Sequence, residues 1–134
     1  MFRSMDYRGK ESVDNSDAKC LEIPMAVLIN GSSYSAAEFF AAALGEYGVA
    51  KLVGQPTTGK GHFQSTFELS EGSAVEISIG KYCTPNGVSV TDVGLTPDIP
   101  MEIDDETFAK IYYGELTPEE DPQIRAALDA LLGR

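Results

Sequence analysis

Val27-Leu28-Ile29-Asn30-Gly31-Ser32-Ser33-Tyr34-Ser35-Ala36-Ala37-Glu38 passes from an apolar run, through small polar residues, into an alanine-rich segment of helical composition. It reads as strand, turn and helix start. A serine at such a turn directs its hydroxyl away from the sheet. The free amides of the first helical turn are donors for a developing oxyanion. The competing reading is structural: Ser35-x-x-Glu38 is a capping box, and on Ser35 alone the cap is the better account.

Outward from this stretch the pattern is that of an α/β protein. Upstream, Asp6 to Asp17 is polar and contains glycine, which suits a loop or short hairpin, and Leu21-Glu22-Ile23-Pro24 leads into a buried strand from Met25 to Ile29. Downstream, Ala36, Phe39, Phe40, Ala43, Leu44 and Tyr47 recur at helical spacing, with Gly48 placed to end the helix. Ala50 to Val53 then forms the second strand of a parallel βαβ unit, with Ser35 at the carboxyl end of the first, the edge where α/β folds place their sites. Phe63 to Leu69 and Ala74 to Tyr82 are strands joined through Ser70-Glu71-Gly72-Ser73, and Pro85-Asn86-Gly87 marks another tight turn. Asp104-Asp105-Glu106 begins a helix running to about Tyr113, and Thr117-Pro118-Glu119-Glu120 opens a second that runs through Leu132. The stripe Ile124, Ala127, Leu128, Leu131 and Leu132 reads as core, with self-association into a homo-oligomer as the alternative.

Gly59-Lys60-Gly61 supplies a potential partner for Ser35. Most lysines in glycine-rich loops are solvated charges. Here the flanking glycines leave room for close approach, and an ammonium withdrawn from water loses its charge readily and then takes a proton from a serine. Gln64 could hold the amine by hydrogen bonding, although from spacing alone an exposed polar position on a strand is the better account.

Ser35-Ala36-Ala37-Glu38, Val53-Gly54-Gln55-Pro56-Thr57-Thr58-Gly59-Lys60-Gly61-His62-Phe63-Gln64, Thr84-Pro85-Asn86-Gly87 and Gly94-Leu95-Thr96-Pro97-Asp98 occur in order. Together they resemble the C-terminal processing peptidases, or tail-specific proteases, over roughly Met25 to Ile103; each motif alone is weak, and their joint order carries the likeness. The resemblance implies a serine peptidase acting near the C-termini of protein substrates through an acyl-enzyme. Ser35 would be its nucleophile, Lys60 its general base and Gln64 the residue that orients the lysine. The Ala36 amide would supply one half of the oxyanion hole, and Tyr34, Gly59 and Gly61 would border the substrate. This chemistry needs neither metal nor cofactor.

The resemblance further implies a mixed sheet with a core like that of the Clp protease and crotonase group, present in part, followed by C-terminal helices. The chain is then read as one domain over residues 1–134, the C-terminal part of a catalytic core, with 104–134 a helical extension. Such proteins sit outside the cytoplasm or in the cell envelope. Two departures stand out: Tyr34 precedes the serine where a small residue is common, its ring expected to pack on the sheet, and His62, expected to be a partly exposed residue at the start of a strand, also replaces a small residue. Neither the PDZ domain usual in the family nor the glycine-rich segment that donates the second oxyanion amide is visible.

Composition narrows the field. At 134 residues, 43% apolar and 23% charged, the chain has the make-up of an ordinary folded protein, and no apolar run is long enough to span a bilayer. A net charge of −11 argues against nucleic acid or an anionic membrane as partner. His62 is the single histidine, which leaves little for a Ser-His pair or a multi-histidine metal site. Cys20 and Cys83 lack CxxC spacing and are read as free thiols. Two other classes stay open: a catalytically silent peptide-binding or assembly module, and an acyl-thioester enzyme of crotonase type, for which Glu38 is the best carboxylate but already has a capping role.

Overall fold

The computed structural model describes residues 2–17 and 19–134, in the order β1 (Phe2–Asp6), β2 (Glu11–Asp14), β3 (Met25–Ile29), α1 (Ala36–Glu46), β4 (Ala50–Gly54), β5 (His62–Glu68), β6 (Ala74–Cys83), β7 (Ile99–Pro100), α2 (Asp105–Tyr112) and α3 (Pro122–Leu132). The strands divide between two sheets. One is parallel, in the order β3-β4-β7; the other is antiparallel, in the order β2-β1-β6-β5. The expected βαβ unit is β3-α1-β4, with Met25 opposite Ala50 and Ile29 opposite Gly54. Helix α1 ends where Gly48 adopts a φ of 68°, a left-handed conformation that a side chain would resist.

A core of Ile29, Ala41 and Leu52, with Val27 and Leu95 against it, glues α1 to the parallel sheet. The alanines let the helix lie close, and Ala41, Ala42 and Ala43 are all buried. Phe40 and Tyr47 are exposed, so the apolar stripe of α1 is wider than the face it buries. Strand β3 is less buried than its composition implies, with Leu28 40% exposed, because it pairs only with β4 and forms the edge of its sheet.

Aromatic rings join α1 to the antiparallel sheet: Phe39 of α1 lies 4.3 Å from Tyr82 of β6 and 5.8 Å from Phe2 of β1, centroid to centroid, and Phe63 of β5 lies 4.9 Å from Tyr82. Strand β1 was not expected from the sequence. It is polar apart from Phe2 and Met5, and it is a strand because it fills the place between β2 and β6. Strand β7 was missed for the opposite reason: two residues carry no periodicity, and the pairing of Ile99 with Val53 is a long-range event.

The second C-terminal helix begins later than Thr117-Pro118 indicates. Glu120 folds its carboxylate back onto the amide and hydroxyl of Thr117, both at 3.0 Å, closing a separate turn. Asp121, held extended before Pro122, is the true cap and accepts from Gln123 N–H at 2.8 Å. Asp104 caps α2 in the same way, and the amide and hydroxyl of Thr107 hold its carboxyl below the usual carboxylate range. On α3, Ala127 is buried while Leu128, Leu131 and Leu132 remain exposed, so only part of the stripe is core. Cys20 is exposed and Cys83 buried, both unpaired. Among the described residues no helix is long and apolar enough to cross a membrane.

Candidate active site

The turn after β3 brings Ser35 to the start of α1 at φ 55° and ψ −121°. That conformation separates Ser35 from an ordinary cap. Asp104 and Asp121, which cap α2 and α3, have φ of −73° and −71° and extended ψ, as capping residues normally do. Residues 35–38 take up the capping-box arrangement. Within it the Glu38 amide donates to the Ser35 carbonyl oxygen at 3.0 Å, and no cap bond ties the serine hydroxyl. A non-glycine residue at positive φ is strained and persists only where its surroundings hold it; the nucleophile of the α/β-hydrolase fold is presented on a strained strand-to-helix turn of this kind.

This strain has a measurable consequence. Ser35→Gly is expected to be about 1 kcal/mol more stable than Ser35→Ala, since glycine relieves the positive φ and alanine keeps it. Urea midpoints of the two variants check this; an alanine variant as stable as the glycine one would show that the turn stores no strain.

Three of the first amides of α1 are accounted for. Ser35 N–H donates to the Glu38 carboxylate, Ala37 N–H to the Tyr34 carbonyl at 3.3 Å, and Glu38 N–H to the Ser35 carbonyl. The Ala36 amide, next in chain to the serine oxygen, donates to no group among the described residues. It is the amide that the resemblance assigns to an oxyanion.

Glu38 organises the site. Its side chain is fully buried. Oε2 accepts from Ser35 N–H at 2.9 Å and from Lys60 N–H at 2.9 Å; Oε1 accepts from Gly59 N–H at 2.7 Å and from the Thr57 hydroxyl. One carboxylate oxygen therefore bridges the backbones of Ser35 and Lys60, whose amide nitrogens can be no further apart than the two 2.9 Å bonds laid end to end. The loops are tied again by Thr58, which donates from its amide to Ser33 O at 3.0 Å and from its hydroxyl to Gly31 O at 2.7 Å. Thr57 accepts from Leu95 N–H at 2.7 Å, and Asp98 accepts from Leu52 N–H at 2.8 Å, so the Gly94-Leu95-Thr96-Pro97-Asp98 motif braces the same loop and strand.

The sequence reading understated Glu38 by treating it as a local cap, and it passed over Thr57. Neither contact to residues 57–60 leaves a spacing signal within α1. With its oxygens occupied by four donors, Glu38 is also poorly placed to act as the acid or base of an acyl-thioester reaction.

The glycines have a packing role that spacing did not indicate. Gly59 sits at φ 85°, and a Cβ there would lie 2.9 Å from the amide nitrogens of Val93 and Gly94 and 3.0 Å from Val90 O. At Gly61 a Cβ would run into Thr91. What approaches these glycines is the 90–94 backbone. They let that loop pack behind the Lys60 segment.

The side chains expected to act lie as follows. Ser35 is half-buried, while Lys60 is exposed and its withdrawal from water is not supplied within this chain. No hydrogen bond joins the Ser35 hydroxyl to the Lys60 amine among the described residues. Gln64 is exposed on β5 beside the bulge at Phe63 and Gln64, and its Nε2 donates to Ser78 Oγ at 3.1 Å and His62 O at 3.3 Å rather than to Lys60. His62 is the exposed first residue of β5. Tyr34 does not pack on the sheet; the residue is 56% exposed and its ring centroid lies 5.8 Å from the Lys60 ammonium. No cluster of three or more potential metal ligands occurs among the described residues.

The model of peptidase family S41 matches residues 2–101, which takes in the β1-β2 hairpin as well as the stretch carrying the motifs. The chain belongs to peptidase family S41. The carboxyl-terminal-processing protease of Synechocystis sp. is 37% identical over 124 residues, covering 92% of this chain and 28% of that protein. The chloroplastic carboxyl-terminal-processing peptidase 2 of Arabidopsis thaliana is 41% identical over 99 residues, 72% of this chain and 19% of that protein. Among solved structures, the photosystem II D1 C-terminal processing protease superposes with a TM-score of 0.63 at 32% identity, over 75% of this chain and 27% of that one. A crystal structure from Parabacteroides merdae covers 98% of this chain and 42% of its own with a TM-score of 0.64; at 23% identity it is a likeness of fold. The chain thus spans under a third of the length of the curated S41 relatives named here.

Proposed function

We propose that this S41 chain carries the nucleophile and base of a serine endopeptidase of C-terminal processing type. Ser35 attacks a peptide carbonyl while neutral Lys60 takes its proton, and the Ala36 amide helps hold the tetrahedral anion. Lys60 then protonates the leaving amine, and water, activated by the same lysine, resolves the acyl-enzyme. Gln64 orients the lysine once its side chain turns from Ser78 toward Lys60, and Tyr34, Gly59 and Gly61 border the substrate. The substrate is the C-terminal region of a protein, bound as an extended peptide, and the setting is outside the cytoplasm or in the cell envelope, in keeping with bacterial and chloroplastic relatives. Residues 1–134 act as one domain within a larger catalytic core.

The observation that carries this reading is the shared Glu38 oxygen. It anchors the backbone of the proposed nucleophile and that of the proposed base to one buried point, which fixes their relative position before any substrate arrives. The strained φ of Ser35 and the unengaged Ala36 amide support it.

A second reading, a silent peptide-binding or assembly module, is favoured by the exposure of Lys60. Mass spectrometry of an unfolded protein incubated with the chain, beside Ser35→Ala, separates the two. We expect C-terminal truncation that disappears in the alanine variant. An intact substrate with both proteins would favour the silent module.

A further inference from the structure

We infer that Tyr34 is a positioning residue for Lys60: its ring is the seat of the lysine ammonium and sets where the amine waits beside Ser35. This rests on the proposed role of Lys60 as base. The ammonium lies 5.8 Å from the Tyr34 ring centroid, within cation–π range. Although the chain carries 21 acidic residues, Lys60 makes no ion pair among the described residues, and its one hydrogen bond runs from its backbone amide to Glu38.

Among the described residues the Tyr34 ring has no other partner within the chain. It stands outside the cluster of Phe2, Phe39, Phe63 and Tyr82, and the residue is 56% exposed. A tyrosine packed for stability would bury its face, whereas this one presents the face to a cation.

Both ends of the contact are anchored to the same point. Ser35 N–H, next in chain to Tyr34, and Lys60 N–H share Glu38 Oε2, so only side-chain torsions remain to be ordered when ring and ammonium meet. A long lysine side chain in water samples many rotamers; a ring that attracts its head concentrates those that keep it beside the serine. A small residue at this position offers no such seat.

The test uses the chain labelled with 13C-lysine, with Lys60→Arg to assign the Lys60 signal. Protons above a ring face are shielded, so the Lys60 ε-methylene protons are expected upfield of those of the other lysines. Tyr34→Leu is expected to abolish that displacement and Tyr34→Phe to keep it, since the hydroxyl plays no part. A Lys60 signal unchanged between the wild-type chain and Tyr34→Leu overturns the inference.

Cleavage supplies the second arm. Tyr34→Leu is expected to lower kcat about two- to fivefold with KM held, and Tyr34→Phe to restore it. An unaltered kcat in Tyr34→Leu, with the ring shift lost, overturns the positioning role while leaving Lys60 as base. Absence of any serine-dependent cleavage by the wild-type chain overturns that role of Lys60, and the positioning role with it, whatever the ring shift shows.

Discussion

Lys60→Ala is expected to remove serine-dependent cleavage, lowering turnover by at least about a thousandfold, while shifting stability by no more than about 0.5 kcal/mol. The two halves of this expectation have different sources. The Lys60 side chain is exposed and its tie to Glu38 is through the backbone, which alanine retains, so the loop keeps its place. Chemistry loses the group proposed to take the Ser35 proton and return one to the leaving amine, and among the described residues no other base is proposed for that work. Glu38 is engaged by four donors, and Gln64 does not titrate. Truncation rates by mass spectrometry, read beside a urea midpoint, check both halves. Cleavage at the wild-type rate would end the role of Lys60 as base; lost cleavage accompanied by a large fall in midpoint would assign the lysine a structural role instead.

Glu38→Ala is expected to cost about 3–5 kcal/mol of stability, a large share of the 5–15 kcal/mol that holds an ordinary domain together. The carboxylate is fully buried, and removing it leaves the amides of Ser35, Gly59 and Lys60 and the Thr57 hydroxyl without their acceptor. Each unmade bond to a buried donor carries a penalty of about 1–3 kcal/mol, reduced where water reaches the loop. Glu38→Gln is expected to fall between, because its amide keeps one accepting oxygen but turns an NH2 group toward donors. Equilibrium unfolding in urea measures both. A loss under about 1 kcal/mol for the alanine variant would mean that the loops are held mainly by Thr58 and the Leu95 contacts.

Much of this molecule was legible in the sequence, for reasons that differ element by element. The β3-α1-β4 unit could be read because its signals are local: an apolar run of strand length, alanines and aromatics at helical spacing, and Gly48 to end the helix. The β5-β6 pair was legible through its turn residues. Strand β1 was not, because it is polar and its strand character comes from being enclosed between β2 and β6, the latter about 70 residues on, and the late start of α3 was hidden because Glu120 and Asp121 compete for similar roles within two residues.

The site divides in the same way. Its order of motifs was enough to indicate a peptidase of the S41 kind; Ser35 and Lys60 stood out as candidates by residue type and context, and Ala36 by the resemblance. Sequence by itself determined which groups are present and which elements deliver them, since periodicity, capping and turn chemistry act over a few residues. The tertiary structure decided how they meet: that Ser35 is held at positive φ instead of capping in the ordinary way, that Gly59 and Gly61 make room for the 90–94 loop, and that Tyr34 faces Lys60. It also gave Glu38 its reach, from a helix's first turn to a loop about 20 residues on. A buried carboxylate must find donors wherever the fold supplies them, and three of these four are backbone amides, whose positions no side-chain pattern records.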